Sequence, residues 1–377
     1  MSNEAAAKKG FNIKNTAGMF DLFKGVTMLT VIIVHTMGLF PILSLKGVGS
    51  IRESLRYSFS NPLFVIFQIF TTSLMPSMFI VSGYGFRKSG IKQCIKRQFK
   101  TLMIPYLITA IITAIVHLID HYAFYHYLPG AIKETGKILG GSLLGLAKTT
   151  QYGDVMLFAN GPNWFILALF WGLIVFDIVL TYVPENKLFL TVLLSALVGW
   201  ILSFGNTFPL CISQGFVSVL YIYLGYYAKK KKLFTSGLTA KNWGLFVLFC
   251  IIPQLIMTCM GGYFGMADDA YGFGIISIVE QGLFSIFFLY LFLPLNRFRG
   301  KIAMFIRSIG RYSIYILCIH TIEMMGFPLY YFANNWTGNI FLGTAIFAIV
   351  RVAVVIIICY LFVTVKDFVV SRKKRNE

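Results

Sequence analysis

WFILALFWGLIVFDIVLTY, residues 164–182, decides the fold. Apart from Asp177 it carries no charge. Its length matches the roughly 20 residues that an α-helix needs to cross the hydrocarbon core of a bilayer. Further apolar runs lie near 20–43, 63–85, 102–121, 188–204, 212–228, 244–261, 273–294, 310–332 and 340–365. Together they take up most of the 377 residues, 57% of which are hydrophobic and only 12% charged. A soluble domain carries about 25% charged residues. The mean hydropathy of +0.76 therefore excludes a soluble globular chain, a disordered one and a fibrous one, and the length excludes a large soluble domain beside the membrane part. The expected fold is all-α: a polytopic membrane helix bundle of about ten transmembrane helices. Its expected parts are an N-terminal segment 1–18, a membrane domain 19–365 and a basic tail 366–377. The first run is followed by no A-x-A cleavage site, so it reads as a retained helix.

The net charge is +19. On a soluble chain this would suggest nucleic acid; on a membrane chain it reports topology, and no nucleic-acid partner is expected. Of the 33 lysines and arginines, six fall in loops on one side: Lys46, Arg52, Arg56, Lys133, Lys137 and Lys148. Arg351 lies inside a span. All the others fall on the opposite side, from Lys8, Lys9, Lys14 and Lys24 through Lys187 and the run Lys229 to Lys232 to the tail. By the positive-inside rule that side is cytoplasmic and holds both termini. The loop after the second run is denser than orientation requires. Arg87, Lys88, Lys92, Lys96, Arg97 and Lys100 suit phosphates, either of lipid headgroups or of a nucleotide-like cofactor. On the other side the longest loop, about 122–163, has a hydrophobic middle (138–147) that reads as an interfacial or re-entrant helix.

The six cysteines have no metal spacing and read as small core residues. His117, His121 and His126 read as an interfacial girdle, and no metal is expected. The informative residues are ionisable groups inside spans, which cost about 2.5–3.5 kcal/mol each at mid-helix: His35, Asp177, Glu280, His320, Glu323 and Arg351. At about 1.5 Å per residue, His35 lies about 20 Å above the start of its helix. His320 and Arg351 fall near the midplane, and Glu280 about 12 Å below the outer surface. Four groups at similar depth suggest a buried acid–base site; a structural Glu280–Arg351 ion pair is the bland alternative.

Asp21-Leu-Phe-Lys24-Gly25 with His35 fourteen residues after the Asp resembles the signature of the acyltransferase 3 family of integral-membrane acyltransferases, in the form of its fucose 4-O-acetylase-related branch. Met75-Pro through Ser82-Gly83-Tyr84, Arg97-x-x-Lys100 leading to Pro105-Tyr106, Asn163-Trp164-Phe165, and Gly310-Arg-Tyr-Ser313 through His320 resemble its later motifs in order. Two positions depart from the pattern: Lys100 stands for an arginine and loses one bidentate fork, and Leu317 stands for a tyrosine. The resemblance implies transfer of an acyl group, often acetyl, from cytoplasmic acyl-CoA to a hydroxyl of a cell-envelope or exported glycan, in a bacterial plasma membrane.

Acyl transfer needs a base and oxyanion stabilisation. The expected roles are His35 as base or transient acyl carrier; Arg97 and Lys100 on the acetyl-CoA phosphates; Asp21 and Lys24 at the cytoplasmic entrance; and Ser82, Tyr84, Glu280, His320 and Arg351 lining the path. The partners would be a glycan or lipid-linked sugar acceptor and membrane lipids. A transporter or flippase of such an intermediate, or a purely structural subunit, are the rival readings.

Overall fold

The computed structural model describes residues 18–40, 51–205 and 208–376. The expectations for the first 17 residues, including Lys8, Lys9 and Lys14, and for Lys46 lie outside the described residues. The described residues are mostly helical, with little strand. Long helices α1 (Met19–Met37), α3 (Pro62–Gly85), α7 (Trp164–Tyr182), α8 (Leu188–Leu202), α9 (Ile212–Lys230), α12 (Ile275–Tyr290) and α17 (Ile340–Asn376) supply most of the bundle. The helix of residues 51–60 is α2. Two further spans are composite. α4 (Ile91–Gln98) passes through a π turn at Phe99–Met103 into α5 (Ile104–Tyr125). After α6 (Leu128–Leu143), α10 (Ala240–Phe246) passes through a π turn at Val247–Ile251 into α11 (Ile252–Cys259). Each π turn lies just before a proline, Pro105 or Pro253. A proline has no N–H to give the carbonyl four residues back, and the ladder widens for one turn. Among the described residues nine helical stretches are long and apolar enough to cross a membrane, or ten if a bent pair counts as one. The protein is a multi-pass membrane protein.

The expected run 310–332 is interrupted at Phe327-Pro328, and the basic segment ahead of it is a helix of its own. After the short α13 (Phe292–Leu295), α14 (Lys301–Arg311) meets α15 (Ser313–Gly326) at 75°. α15 then stops before Pro328, and α16 (Leu329–Asn334) follows. α14 lies against the start of α1, while α15 enters the bundle beside α5 and α1.

Two glycine contacts set the geometry. A methyl group on Gly83 of α3 would overlap the Ile222 carbonyl of α9, and one on Gly225 would overlap the Ile80 carbonyl. Gly25 of α1 and Gly310 of α14 meet in the same way, against the carbonyls of Ile306 and Asp21. Small residues let helix backbones touch, which replaces the missing hydrophobic drive between helices in lipid. These glycines sit inside the Lys24-Gly25 and Ser82-Gly83-Tyr84 motifs.

In the long loop the helix is α6, which starts ten residues before the apolar stretch at 138–147 and packs on α5. Strands β1 (Thr150–Tyr152) and β2 (Val155–Leu157) pair behind it, and β3 (Phe264–Gly265) pairs with β4 (Ala270–Tyr271) between α11 and α12. α17 continues as helix through the basic tail to Asn376.

Candidate active site

His35 stands near the C-terminal end of α1 and His320 in the middle of α15. Their rings lie nearly parallel, with His35 Nδ1 2.9 Å from His320 Nε2. The other nitrogen of His320, Nδ1, is 3.1 Å from Glu323 Oε2, one turn further along the same helix. Glu323 is gripped in turn by Arg351 of α17. Its Oε1 accepts from Arg351 Nε at 2.6 Å and its Oε2 from Nη2 at 2.9 Å. The remaining guanidinium arm, Nη1, donates to Thr36 Oγ1 at 2.9 Å, and the Thr36 hydroxyl donates to the Ile32 carbonyl. His320, Glu323 and Arg351 are buried, while His35 is half-buried.

This chain fixes the proton positions. Arginine has only donors. The bidentate guanidinium therefore holds the Glu323 carboxylate as an acceptor, which takes the N–H at His320 Nδ1. His320 Nε2 is then a lone pair and accepts the N–H at His35 Nδ1. His35 Nε2 is left as a lone pair with no protein partner among the described residues, on the one ring of the chain that is open to the surroundings. A histidine oriented by an acceptor behind it, with its far nitrogen bare, is the arrangement of a general base.

The sequence placed His35, His320 and Arg351 at similar depth, and the fold brings them together. Arg351, however, pairs with Glu323 and not with Glu280. Glu280 lies on α12, buried, with neither carboxylate oxygen hydrogen-bonded, among the described residues. Depth along a helix says nothing of which way a side chain faces. The i, i+3 spacing of His320 and Glu323 was the available signal for their contact. Thr36 carried none beyond adjacency to His35.

The motif residues at the other end of the bundle form a second group. Lys24 Nζ is 2.9 Å from Asp21 Oδ1, and Asp21 is enclosed beneath Gly310. Tyr84 is buried against Phe20 and Phe234, and the half-buried Ser82 donates its hydroxyl to the Met78 carbonyl. Arg97 lies over the Phe86 ring and donates from Nη2 to the Arg87 carbonyl at 3.3 Å. Lys100 is exposed in the π turn. Asp177, unassigned from sequence, accepts the Ser89 backbone N–H at 3.2 Å, and Lys88 Nζ donates to the Leu180 carbonyl. These two bonds tie the basic loop to the end of α7.

Three other motif positions have structural duties. Asn163 accepts from Thr321, the neighbour of His320, and so fastens the start of α7 to α15. Tyr106 donates to the Ser142 carbonyl and holds α6 to α5. Tyr315 takes a hydrogen bond from Lys366 at the basic end of the bundle, one turn and more from His320. His117 is hydrogen-bonded to Thr135, and His121 lies between His117 and Tyr125.

No curated protein and no solved structure matches the chain significantly. A family model described as an acyltransferase domain matches residues 19–364, and the chain belongs to the acyltransferase 3 family of membrane acyltransferases.

Proposed function

We propose that the protein moves an acyl group, acetyl in the simplest case, from acyl-CoA at the basic end of the bundle to a hydroxyl of a cell-envelope or exported glycan or its lipid-linked precursor. The single observation that carries this reading is the hydrogen-bonded line from Arg351 through Glu323 and His320 to the bare Nε2 of His35. The basic end is taken as cytoplasmic on the charge asymmetry of the loops, in a bacterial plasma membrane.

In this reading the acceptor O–H gives its proton to His35 Nε2 as its oxygen bonds to the thioester carbonyl carbon. The carbonyl π pair moves onto oxygen. The tetrahedral intermediate collapses, the C–S bond breaks, and the leaving thiolate takes the proton back from His35. While His35 carries the extra proton, its Nδ1–H stays on His320, and the carboxylate of Glu323 offsets the charge through that ring. Arg97 and Lys100 supply positive charge for the CoA phosphates, and Lys24, set by Asp21, borders the entrance.

The test is acetyl-CoA binding and turnover by the purified chain in detergent, beside His35→Ala and Arg97→Ala. Binding weakened by the second and turnover abolished by the first support the proposal. A folded wild-type chain that binds no acyl-CoA refutes it and leaves transport of a glycan intermediate as the reading to pursue.

A further inference from the structure

The run Lys229 to Lys232 closes α9, and its four side chains do different things. Lys230 pairs with Glu185 and Lys231 lies over the Tyr227 ring. Lys232 takes a left-handed conformation, φ 54°, at the position after the helix cap. There its N–H reaches back to the Lys229 carbonyl and the next N–H, of Leu233, reaches the Ala228 carbonyl. This is the double bond of a Schellman closure, where glycine is the usual residue. Phe234, also at positive φ (67°), is buried and its N–H meets Tyr290 Oη. The turn is strained and anchored, and it holds the end of α9 in a fixed place.

Lys229 alone of the four turns inward. Its Nζ donates to the Phe86 carbonyl at 3.5 Å. The next carbonyl, that of Arg87, takes the hydrogen bond from Arg97, whose guanidinium also covers the Phe86 ring. Two cations from α9 and α4 thus meet on two consecutive residues, 143 positions away from Lys229 in sequence. Among the described residues neither has a carboxylate within ion-pair distance. Each has donors to spare: an ammonium has three and a guanidinium five. Two cations with unspent donors on adjacent carbonyls, beside the exposed Arg87, suit the charged oxygens of a phosphate.

We propose that Lys229 and Arg97 are the two arms of a phosphate clamp, with the Phe86–Arg87 backbone as its floor, and that the clamp takes the phosphates at the nucleotide end of the acyl donor. The choice of ligand rests on the function proposed above; the clamp itself rests on the geometry. Phosphate also occurs in anionic lipid headgroups, and the experiment separates the two sources.

The full-length chain is placed in phosphatidylcholine nanodiscs and titrated with coenzyme A and with pantetheine, which lacks the nucleotide and its phosphates. Lys229→Met is expected to weaken coenzyme A binding about tenfold and to leave pantetheine binding unchanged. Lys231→Met, which alters a lysine turned away from the loop, is expected to match the wild type. Wild-type coenzyme A affinity in Lys229→Met, with the wild type itself binding, overturns the clamp and leaves the proposed function standing. If the wild type binds no coenzyme A, the proposed function falls. Inorganic pyrophosphate then decides the clamp: binding lost in Lys229→Met upholds it, and equal or absent binding removes it. A repeat in phosphatidylglycerol nanodiscs tests the source. The same weakening there upholds the nucleotide, and its disappearance overturns the nucleotide in favour of lipid.

Discussion

His35 Nδ1 and His320 Nε2 lie 2.9 Å apart although 285 residues separate them in the chain. One end of that pair is anchored by Glu323 and Arg351, and the other carries the open nitrogen. His320 touches no bare reacting position. It is a positioning residue that sets the tautomer of His35, and Glu323 does the same for His320.

His320→Gln is therefore expected to lower turnover by a factor on the order of 10²–10⁴, the range of a lost general-base contribution, while acyl-CoA binding changes little. Glu323→Gln keeps the shape but leaves the Arg351 guanidinium buried without a charge partner. Breaking a buried pair costs about 3–5 kcal/mol, and this variant is expected to lose stability as well as turnover. Steady-state kinetics with a thermal melt distinguishes the two: His320→Gln with full turnover at normal stability would show that the line behind His35 is structural only.

The Gly25–Gly310 contact gives a second prediction, about packing. A methyl group on Gly310 would overlap the Asp21 carbonyl, part of the α1 backbone, so no side chain can swing aside. Overpacking of this kind costs about 1–3 kcal/mol. Gly310→Ala is expected to lower the melting temperature and, by displacing α14 and the α15 that follows it, to lower turnover too. Gly85, with nothing within 4 Å of an added methyl, is the control: Gly85→Ala is expected to melt as the wild type does. Equal melting of both variants would refute the close contact.

How much of this was legible in the sequence follows from what each signal measures. Apolar runs report passage through the bilayer over about 20 residues, so the spans were readable, α3 and α7 nearly to the residue. The bend at Tyr312 was not, because α14 carries Lys301, Arg307 and Arg311 and reads as basic loop rather than as helix. Within the site, His35 and Arg351 were found because charge inside a span is expensive whatever it contacts. Which carboxylate Arg351 pairs with was not legible, because Glu280 and Glu323 are equally expensive and only the packing of α15 against α17 chooses between them. Lys229 was hidden for the opposite reason. In a run of four lysines at a helix end, topology explains each one equally well, and only the turn imposed by Lys232 singles one out.

The last prediction concerns Asp269, in the β3–β4 loop at the end of the bundle away from the basic residues. Its carboxylate is 2.9 Å from Ser213 Oγ and only 9% exposed. Burial pushes its pKa up to about 6; the Ser213 hydrogen bond and Lys148 pull the other way, and Asp268 adds to the rise. The folded state thus holds this proton more tightly than the unfolded chain, whose aspartate titrates near 3.9. Stability from this group is fully present below about pH 4 and falls as pH rises through about 6. A shift of roughly two units corresponds to about 3 kcal/mol. Asp269→Asn copies the neutral form and tolerates the left-handed backbone, φ 53°, that this position adopts. Its melting temperature is expected to match the wild type below about pH 3.5, to exceed it increasingly between about pH 4 and 6, and to keep a constant lead above that. Parallel curves between about pH 4 and 6 would mean that Asp269 does not bind a proton more tightly in the folded protein.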